Sequence, residues 1–86
     1  MKIRKELIRR EIAGDVILVP VGGTVLENNG LFALNELGAF LWDRIPAAAD
    51  EEALVAAVLA EYEVDEATAQ GDLTEFLDKL RKMEIL

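Results

Sequence analysis

The chain has 86 residues, of which 52% are hydrophobic, and it carries a formal net charge of −8. This length suits one domain with a modest core. Because the chain contains no cysteine and no histidine, its composition excludes disulfides, thiol chemistry, zinc sites of the Cys/His kind and acid–base catalysis by histidine.

Three apolar segments predict β-strands in the N-terminal half. Residues Ile3 to Ala13 alternate loosely, which favours an exposed first strand, and Val16 to Val19 is a continuous apolar run. The Ala13-Gly14-Asp15 turn between them predicts a hairpin. Leu31 to Leu34 is the third predicted strand. Thr24 to Glu27 fits either a loop or a short additional ladder, and the sequence leaves both open.

Three helices are predicted after the third strand, each preceded by a residue that can cap its first turn. These capping residues are Asn35, Asp50 and Asp65, whose side-chain oxygens can accept hydrogen bonds from exposed backbone N–H groups. The first helix runs from about Glu36 to Ile45, because Pro46 biases the residue before it away from helical geometry. The predicted order is therefore three strands followed by three helices.

Two residues of the predicted helices have competing interpretations. Trp42 lies beside the apolar stripe of the first helix, and we interpret it as a core or rim aromatic rather than a ligand contact. Gly71 lies inside the third helix, where glycine costs about 1 kcal/mol relative to alanine. Close packing against another helix would compensate this cost, and so would a need for room beside a bound segment. The sequence does not decide between them.

The charged residues predict a protein without catalysis, a metal or a cofactor. Carboxylates cluster around predicted helix ends, where they stabilise the helix dipole, and neither a calcium-loop spacing nor a nucleophile beside a base is present. Residues 46–78 contain ten acidic residues and no lysine or arginine, which disfavours nucleic acid as a partner. No segment has the character of a signal peptide or a membrane span, which predicts a soluble, cytoplasmic protein.

The third predicted strand is apolar on both faces. Leu31 and Ala33 face one way while Phe32 and Leu34 face the other, because side chains alternate along a strand. If this strand lies at an edge of the sheet with the third helix nearby, the two bound a groove that accepts an extended peptide by strand addition. If the strand is central, there is no such groove, and periodicity alone favours neither.

Three stretches of the chain, Arg10 to Gly22, Gly30 to Ile45 and Glu61 to Leu86, carry a set of motifs. The set consists of the Leu34-Asn35-Glu36 junction, Gly38, Trp42, Tyr62, Asp65 and Asp72 before a Phe-Leu-x-x-Leu run. In these motifs the chain resembles the PqqD-like family, the coenzyme PQQ synthesis protein D group, whose members are also called recognition elements for ribosomally synthesised, post-translationally modified peptides.

The resemblance implies a winged-helix-like α+β fold that forms a single domain over residues 1–86 and does no chemistry itself. It implies that the protein binds the leader of a precursor peptide as a strand added to the third strand, with the third helix as the other wall. The peptide would then be presented to a modifying enzyme, often a radical SAM protein. The implied site residues are Leu31, Phe32, Ala33, Leu34, Thr68, Asp72, Phe76 and Lys79.

The sequence departs from the family pattern at two positions. Leu37 stands where many members have a small polar residue, and Glu84 stands where a glycine often precedes the terminal apolar pair. Because of the second departure, the sequence does not determine how the third helix ends. Neither departure falls in the predicted groove. The basic first strand, from Arg4 to Arg10, is predicted to dock to the modifying enzyme.

Two other functions are compatible with the predicted fold. One is a winged-helix DNA-binding regulator, which the acidic helices disfavour. The other is a structural subunit permanently bound to an enzyme. The protein is predicted to be a monomer or a homodimer, because an open strand edge accepts a second copy as readily as a peptide.

Overall fold

A computed structural model describes residues 1–21 and 32–86, which form a three-stranded antiparallel sheet followed by three α-helices. This order confirms the predicted α+β fold. The strands and helices are β1 (Leu7–Ile12), β2 (Asp15–Pro20), β3 (Phe32–Leu34), α1 (Glu36–Arg44), α2 (Glu51–Glu61) and α3 (Glu66–Lys82), and a short 3₁₀ turn (Ile45–Ala47) follows α1.

A two-residue turn joins β1 to β2, as predicted. Ala13 and Gly14 have φ angles of 52° and 85°, and Ile12 pairs with Asp15 across the turn. Two successive positive φ angles are typical of a type I′ turn, whose twist matches that of the two strands. The hairpin register is therefore fixed at its tip.

Strand β1 begins at Leu7, whereas the sequence predicted a start at Ile3. The residues before it contact the C-terminal segment instead: the Arg4 N–H donates to the Ile85 carbonyl at 2.6 Å, and Lys5 Nζ donates to the Met83 carbonyl at 2.6 Å. These long-range bonds hold Arg4 and Lys5 against the C-terminal segment and outside the ladder. The burial pattern of β1 confirms that it is an exposed strand.

Among the described residues, β2 is the central strand and β3 lies at an edge, since the strand order is β1-β2-β3. This confirms the edge alternative for Phe32–Leu34. Leu31 and the ambiguous stretch Thr24 to Glu27 lie outside the described residues.

The core lies between one face of the sheet and the three helices. Trp42 is buried in it, which confirms its interpretation as a core aromatic. Each fully buried leucine or isoleucine side chain stabilises the fold by about 1.5–3 kcal/mol. The fully buried side chains are Leu18, Leu41, Ile45, Leu54, Val58, Leu73, Leu77, Leu80 and Ile85.

All three predicted N-caps are confirmed. Side-chain oxygens of Asn35, Asp50 and Asp65 accept hydrogen bonds from the backbone N–H three residues later, at 2.7, 2.9 and 2.7 Å. The backbone N–H of Thr68, with a smaller contribution from its side chain, holds the pKa of Asp65 below its ordinary value of 3.8. The charged cap therefore stabilises α3 at neutral pH, and this contribution is lost as the pH falls through the lowered pKa.

Helix α1 ends at Arg44, close to the predicted end, but the prediction that Ile45 leaves helical geometry is wrong. Ile45 has φ −53° and ψ −48°, and its N–H donates to the Leu41 carbonyl. Pro46 takes a position at the start of the 3₁₀ turn, where its missing N–H costs nothing. Ile45 is fully buried, and this burial favours a chain path that keeps its side chain in the core.

Helix α3 ends in a Schellman motif, which resolves how the chain stops without a glycine. The Glu84 N–H donates to the Arg81 carbonyl at 3.0 Å, and the Ile85 N–H donates to the Leu80 carbonyl at 2.9 Å. Glu84 has a φ of 58°, the left-handed conformation that glycine adopts most easily at this position. The buried side chain of Ile85 anchors the motif.

Because Glu84 holds a left-handed conformation that is unfavourable for a residue with a Cβ atom, Glu84→Gly should raise the free energy of unfolding by about 1 kcal/mol. Urea unfolding measures the change. Glu84→Ala is the matched control, since it removes the same charge but keeps the Cβ atom. Equal stability changes in the two variants would contradict the conformational explanation.

Candidate functional site

The bonding direction of β2 decides which backbone groups of β3 face the open edge. Just beyond the β1–β2 ladder, the Val21 N–H donates to the Glu6 carbonyl at 3.2 Å. Bonding direction alternates from one residue to the next along an antiparallel strand. The odd-numbered residues of β2 therefore bond to β1, and the N–H and C=O groups of Val16 and Leu18 point towards β3.

Ala33 is the residue of β3 whose backbone points to the open edge. Phe32 and Leu34 pair with Leu18 and Val16, so their N–H and C=O groups face β2. The N–H and C=O of Ala33 then point away from the sheet, and its side chain is exposed on the face opposite the helices. An N–H and a C=O directed outward at a strand edge are what an added strand binds.

A cavity of about 170 Å³ lies between the first turns of α1 and the middle of α3. Its volume is below the roughly 300 Å³ at which pockets for small-molecule ligands begin, so it fits one side chain. Three of the predicted site residues are brought together here. The lining residues are Asn35, Leu37, Gly38, Leu41, Asp72, Glu75, Phe76 and Lys79.

Gly38 lies where α3 packs against the junction between β3 and α1. A Cβ atom on Gly38 would lie 3.1 Å from Asn35 Oδ1, 3.4 Å from Phe76 Cε1 and 3.5 Å from Leu34 Cδ2. Only the first of these separations is tighter than ordinary van der Waals contact, so the Asn35 cap is the neighbour that a Cβ atom would disturb. Phe76 and Leu34 both lie beside Gly38, so the cavity adjoins the end of the edge strand. The sequence indicated Gly38 only as a family feature.

The predicted site residues differ in their exposure and position. Phe32 is half-buried and Leu34 is buried, both on the helix side of the sheet, while Ala33 is exposed. Thr68 is exposed in the first turn of α3, where its N–H donates to the side chain of the N-cap residue Asp65. It does not line the cavity. Leu31 lies outside the described residues.

Leu37 corrects the sequence analysis, which placed it outside the groove. It lines the cavity with Leu41, one helical turn later. The spacing of these two leucines indicated a shared helix face, but their packing partner on α3 was not visible in the sequence. Glu75, which lies within one turn of both Asp72 and Lys79, was also missed.

Three charged residues line the cavity, and two of them form an ion pair with each other. Lys79 Nζ lies 3.7 Å from Glu75 Oε1, an i,i+4 ion pair on the surface of α3. Asp72 makes no ion pair with any residue of the described ranges. The cavity therefore presents one acid whose charge is not offset by a neighbouring side chain.

Gly71 is not explained by helix packing. A Cβ atom built on it meets no atom within 4 Å among the described residues, so the close-packing interpretation is wrong. That Gly71 leaves room for a bound segment stays a prediction.

A larger cleft of about 580 Å³ lies between the β1–β2 turn and α1, but its two arginines are already engaged. Arg9 Nε lies 3.3 Å from Asp43 Oδ1, and the Arg44 guanidinium lies 3.7 Å from the centre of the Phe40 ring. Phe40 also makes an edge-to-face contact with Tyr62. These contacts give the cleft a structural role, and the β3 edge remains the stronger candidate site.

Comparisons with known proteins point to one family and one solved complex. The family model for coenzyme PQQ synthesis protein D (PqqD) matches residues 15–86. The solved structure of TbiB1 in complex with the TbiA(beta) leader peptide is 31% identical, covers 100% of this chain and 94% of its own, and superposes with a TM-score of 0.76. No curated protein matches the chain.

Within the described ranges, no helix combines the length and apolarity that a bilayer crossing requires.

The two helical glycines should respond oppositely to alanine. Gly71→Ala should raise the free energy of unfolding by about 1 kcal/mol, because it improves helix propensity in open space. Gly38→Ala should lower it, because the new Cβ atom would lie 3.1 Å from Asn35 Oδ1, and displacing that cap outweighs the gain. Urea unfolding of both variants measures the difference, and equal stabilisation would contradict the close approach at Gly38.

Proposed function

The chain belongs to the PqqD family, and from that premise we propose that it binds the leader segment of a ribosomally synthesised precursor peptide and presents it to a modifying enzyme. One observation carries the proposal: the solved relative that covers the whole chain at 31% identity holds a leader peptide. The open edge of β3 in this chain supplies the backbone groups that such a peptide needs.

The peptide would bind as a fourth strand beside β3. The outward N–H and C=O of Ala33 would pair with its backbone, and α3 would form the opposite wall. Side chains of an added strand alternate between the two faces of the sheet, so every second peptide side chain would point towards the helices. The proposed groove consists of Leu31, Phe32, Ala33, Leu34, Thr68, Asp72, Phe76 and Lys79, together with Leu37 and Gly38.

The proposed role is binding, with the chemistry done by the partner enzyme, which we take to be a radical SAM protein. The solved relative in complex with a leader peptide supports the binding half of this division. The acidic character of residues 46–78 favours a peptide over nucleic acid, because duplex DNA would be repelled by α2 and α3. Presentation of a peptide to such an enzyme fits a cytoplasmic protein.

The outer face of the sheet is the proposed contact surface for the enzyme. Ile8 and Ile12 are 43% and 56% exposed, and Arg10 lies between them on the same face of β1 because side chains alternate. Arg9 points to the other face and is paired with Asp43. The proposed docking of the basic first strand therefore depends on Arg10 rather than Arg9.

Ala33→Pro tests strand addition directly. Proline removes the N–H that would bond the peptide, while the β2–β3 ladder does not use that group, so the edge strand should persist. The probe is a peptide selected from a random 12-residue display library. We expect its dissociation constant to rise at least about tenfold, because the hydrogen bond from the residue 33 N–H is lost and the proline ring obstructs the peptide backbone.

Ala33→Val is the matched control, since it keeps the N–H and should bind within about twofold of the original protein. NMR titration of the isotope-labelled protein should show shifts at residues 32–35 and 72–79 with the selected peptide and none with a DNA duplex. Peptides that bind Ala33→Pro as well as the original protein would overturn strand addition at β3.

Arg10→Glu tests the docking surface. We expect it to weaken binding to the modifying enzyme about tenfold, because a charge is reversed inside an apolar contact, while peptide affinity stays unchanged. Surface plasmon resonance measures the affinity for the peptide on an immobilised peptide, and the affinity for the enzyme on the immobilised peptide complex. Unchanged affinity for the enzyme would rule out this face as the docking surface.

A further inference from the structure

We infer that the cavity between α1 and α3 is a specificity pocket for one lysine or arginine side chain of the leader peptide. The inference rests on the proposed function, and it specifies the chemical class of one residue of the peptide. Two observations support it: the cavity has the size of one side chain and is lined in part by apolar residues, and one of its two acids, Asp72, makes no ion pair within the described residues.

The floor of the cavity suits the aliphatic part of a long side chain. Leu37 and Phe76 are half-buried and keep accessible apolar surface, whereas Leu41 is fully buried and offers none. Lysine and arginine lay their methylene groups along apolar surface while the charged head stays in water. The half-buried Phe76 ring adds an attraction for a cation that passes over its face.

The charges of the cavity favour a cationic head group. Glu75 and Lys79 offset each other at 3.7 Å, so the net charge at the mouth is that of Asp72. A purely aliphatic side chain would fill the floor but leave Asp72 facing the bound peptide without a partner. A lysine or arginine satisfies both parts of the cavity at once.

The N-terminus of α1, which also borders the cavity, does not reverse this preference. A helix N-terminus attracts anions through its exposed N–H groups and its dipole. Here the Gly38 N–H already donates to Asn35 Oδ1 at 2.7 Å, and Glu36 places a negative charge in the first turn. An acidic peptide side chain would also meet Asp72.

The test is a peptide selection in which the charge of the pocket is changed. A random 12-residue display library is selected on the original protein and on Asp72→Asn, Asp72→Lys and Ala33→Pro. Glu66→Gln is the matched control, because it removes an acid from the same helix on the side that faces α2. Peptides enriched on the original protein are then synthesised and titrated at low and high salt.

We expect the original protein and Glu66→Gln to enrich lysine or arginine at one position of the aligned peptides. Asp72→Asn should lose this preference and weaken binding about two- to fivefold, and Asp72→Lys should exchange it for aspartate or glutamate. The affinity gained from the basic residue should fall at high salt, as the charges are screened.

The outcomes separate this inference from the proposed function. If the selected peptides lose binding to Ala33→Pro but show the same residue preferences on all Asp72 variants, strand addition holds and the basic-residue pocket is wrong. An aliphatic preference at that position, unchanged by Asp72→Lys, would also overturn it. If Ala33→Pro binds the same peptides equally well, the proposed function itself fails.

Discussion

The site depends on the register that the Ala13-Gly14 turn imposes on the first hairpin. With two residues in the turn, Ile12 pairs with Asp15, and every later pair along β1 and β2 is then determined. This register directs the even-numbered residues of β2 towards β3, and so it turns the backbone of Ala33 outward. A slip of one residue would exchange the two sets and move apolar side chains to the wrong face. Two residues in left-handed conformations thus influence the proposed binding edge on β3, the strand next to the hairpin.

A second constraint couples this edge to the helices. At the start of α1, Phe76 of α3 and Leu34 of β3 both lie beside Gly38. The same contact closes part of the core and forms one end of the proposed groove. Stability and binding therefore share residues here, and a substitution at this junction changes both. Asp72 and Ala33 are exposed, so they can be varied with little effect on the core.

Local signals made most of the fold predictable. A capping side chain acts on an N–H three residues away, and a turn acts within four residues, so Asn35, Asp50, Asp65 and the Ala13-Gly14 turn were correctly identified from short windows. Features that depend on distant partners were missed or left open. These include the late start of β1, the edge position of β3 and the place of Leu37 in the cavity. Their causes lie in contacts between residues that are not neighbours in the sequence, such as Arg4 with Ile85 and Ile17 with Ala33.

The short edge strand limits how peptide affinity can arise. Within the described part of β3, only Ala33 offers outward backbone groups, and one or two added hydrogen bonds contribute about 1 kcal/mol each. Micromolar binding requires about 8 kcal/mol, so most of the affinity must come from peptide side chains that contact the groove. An affinity that comes mainly from side-chain contacts suits a protein that presents its peptide and then releases it. A long edge would bind any extended chain, including a second copy, whereas a short edge beside a small charged cavity makes binding depend on which side chain enters the cavity.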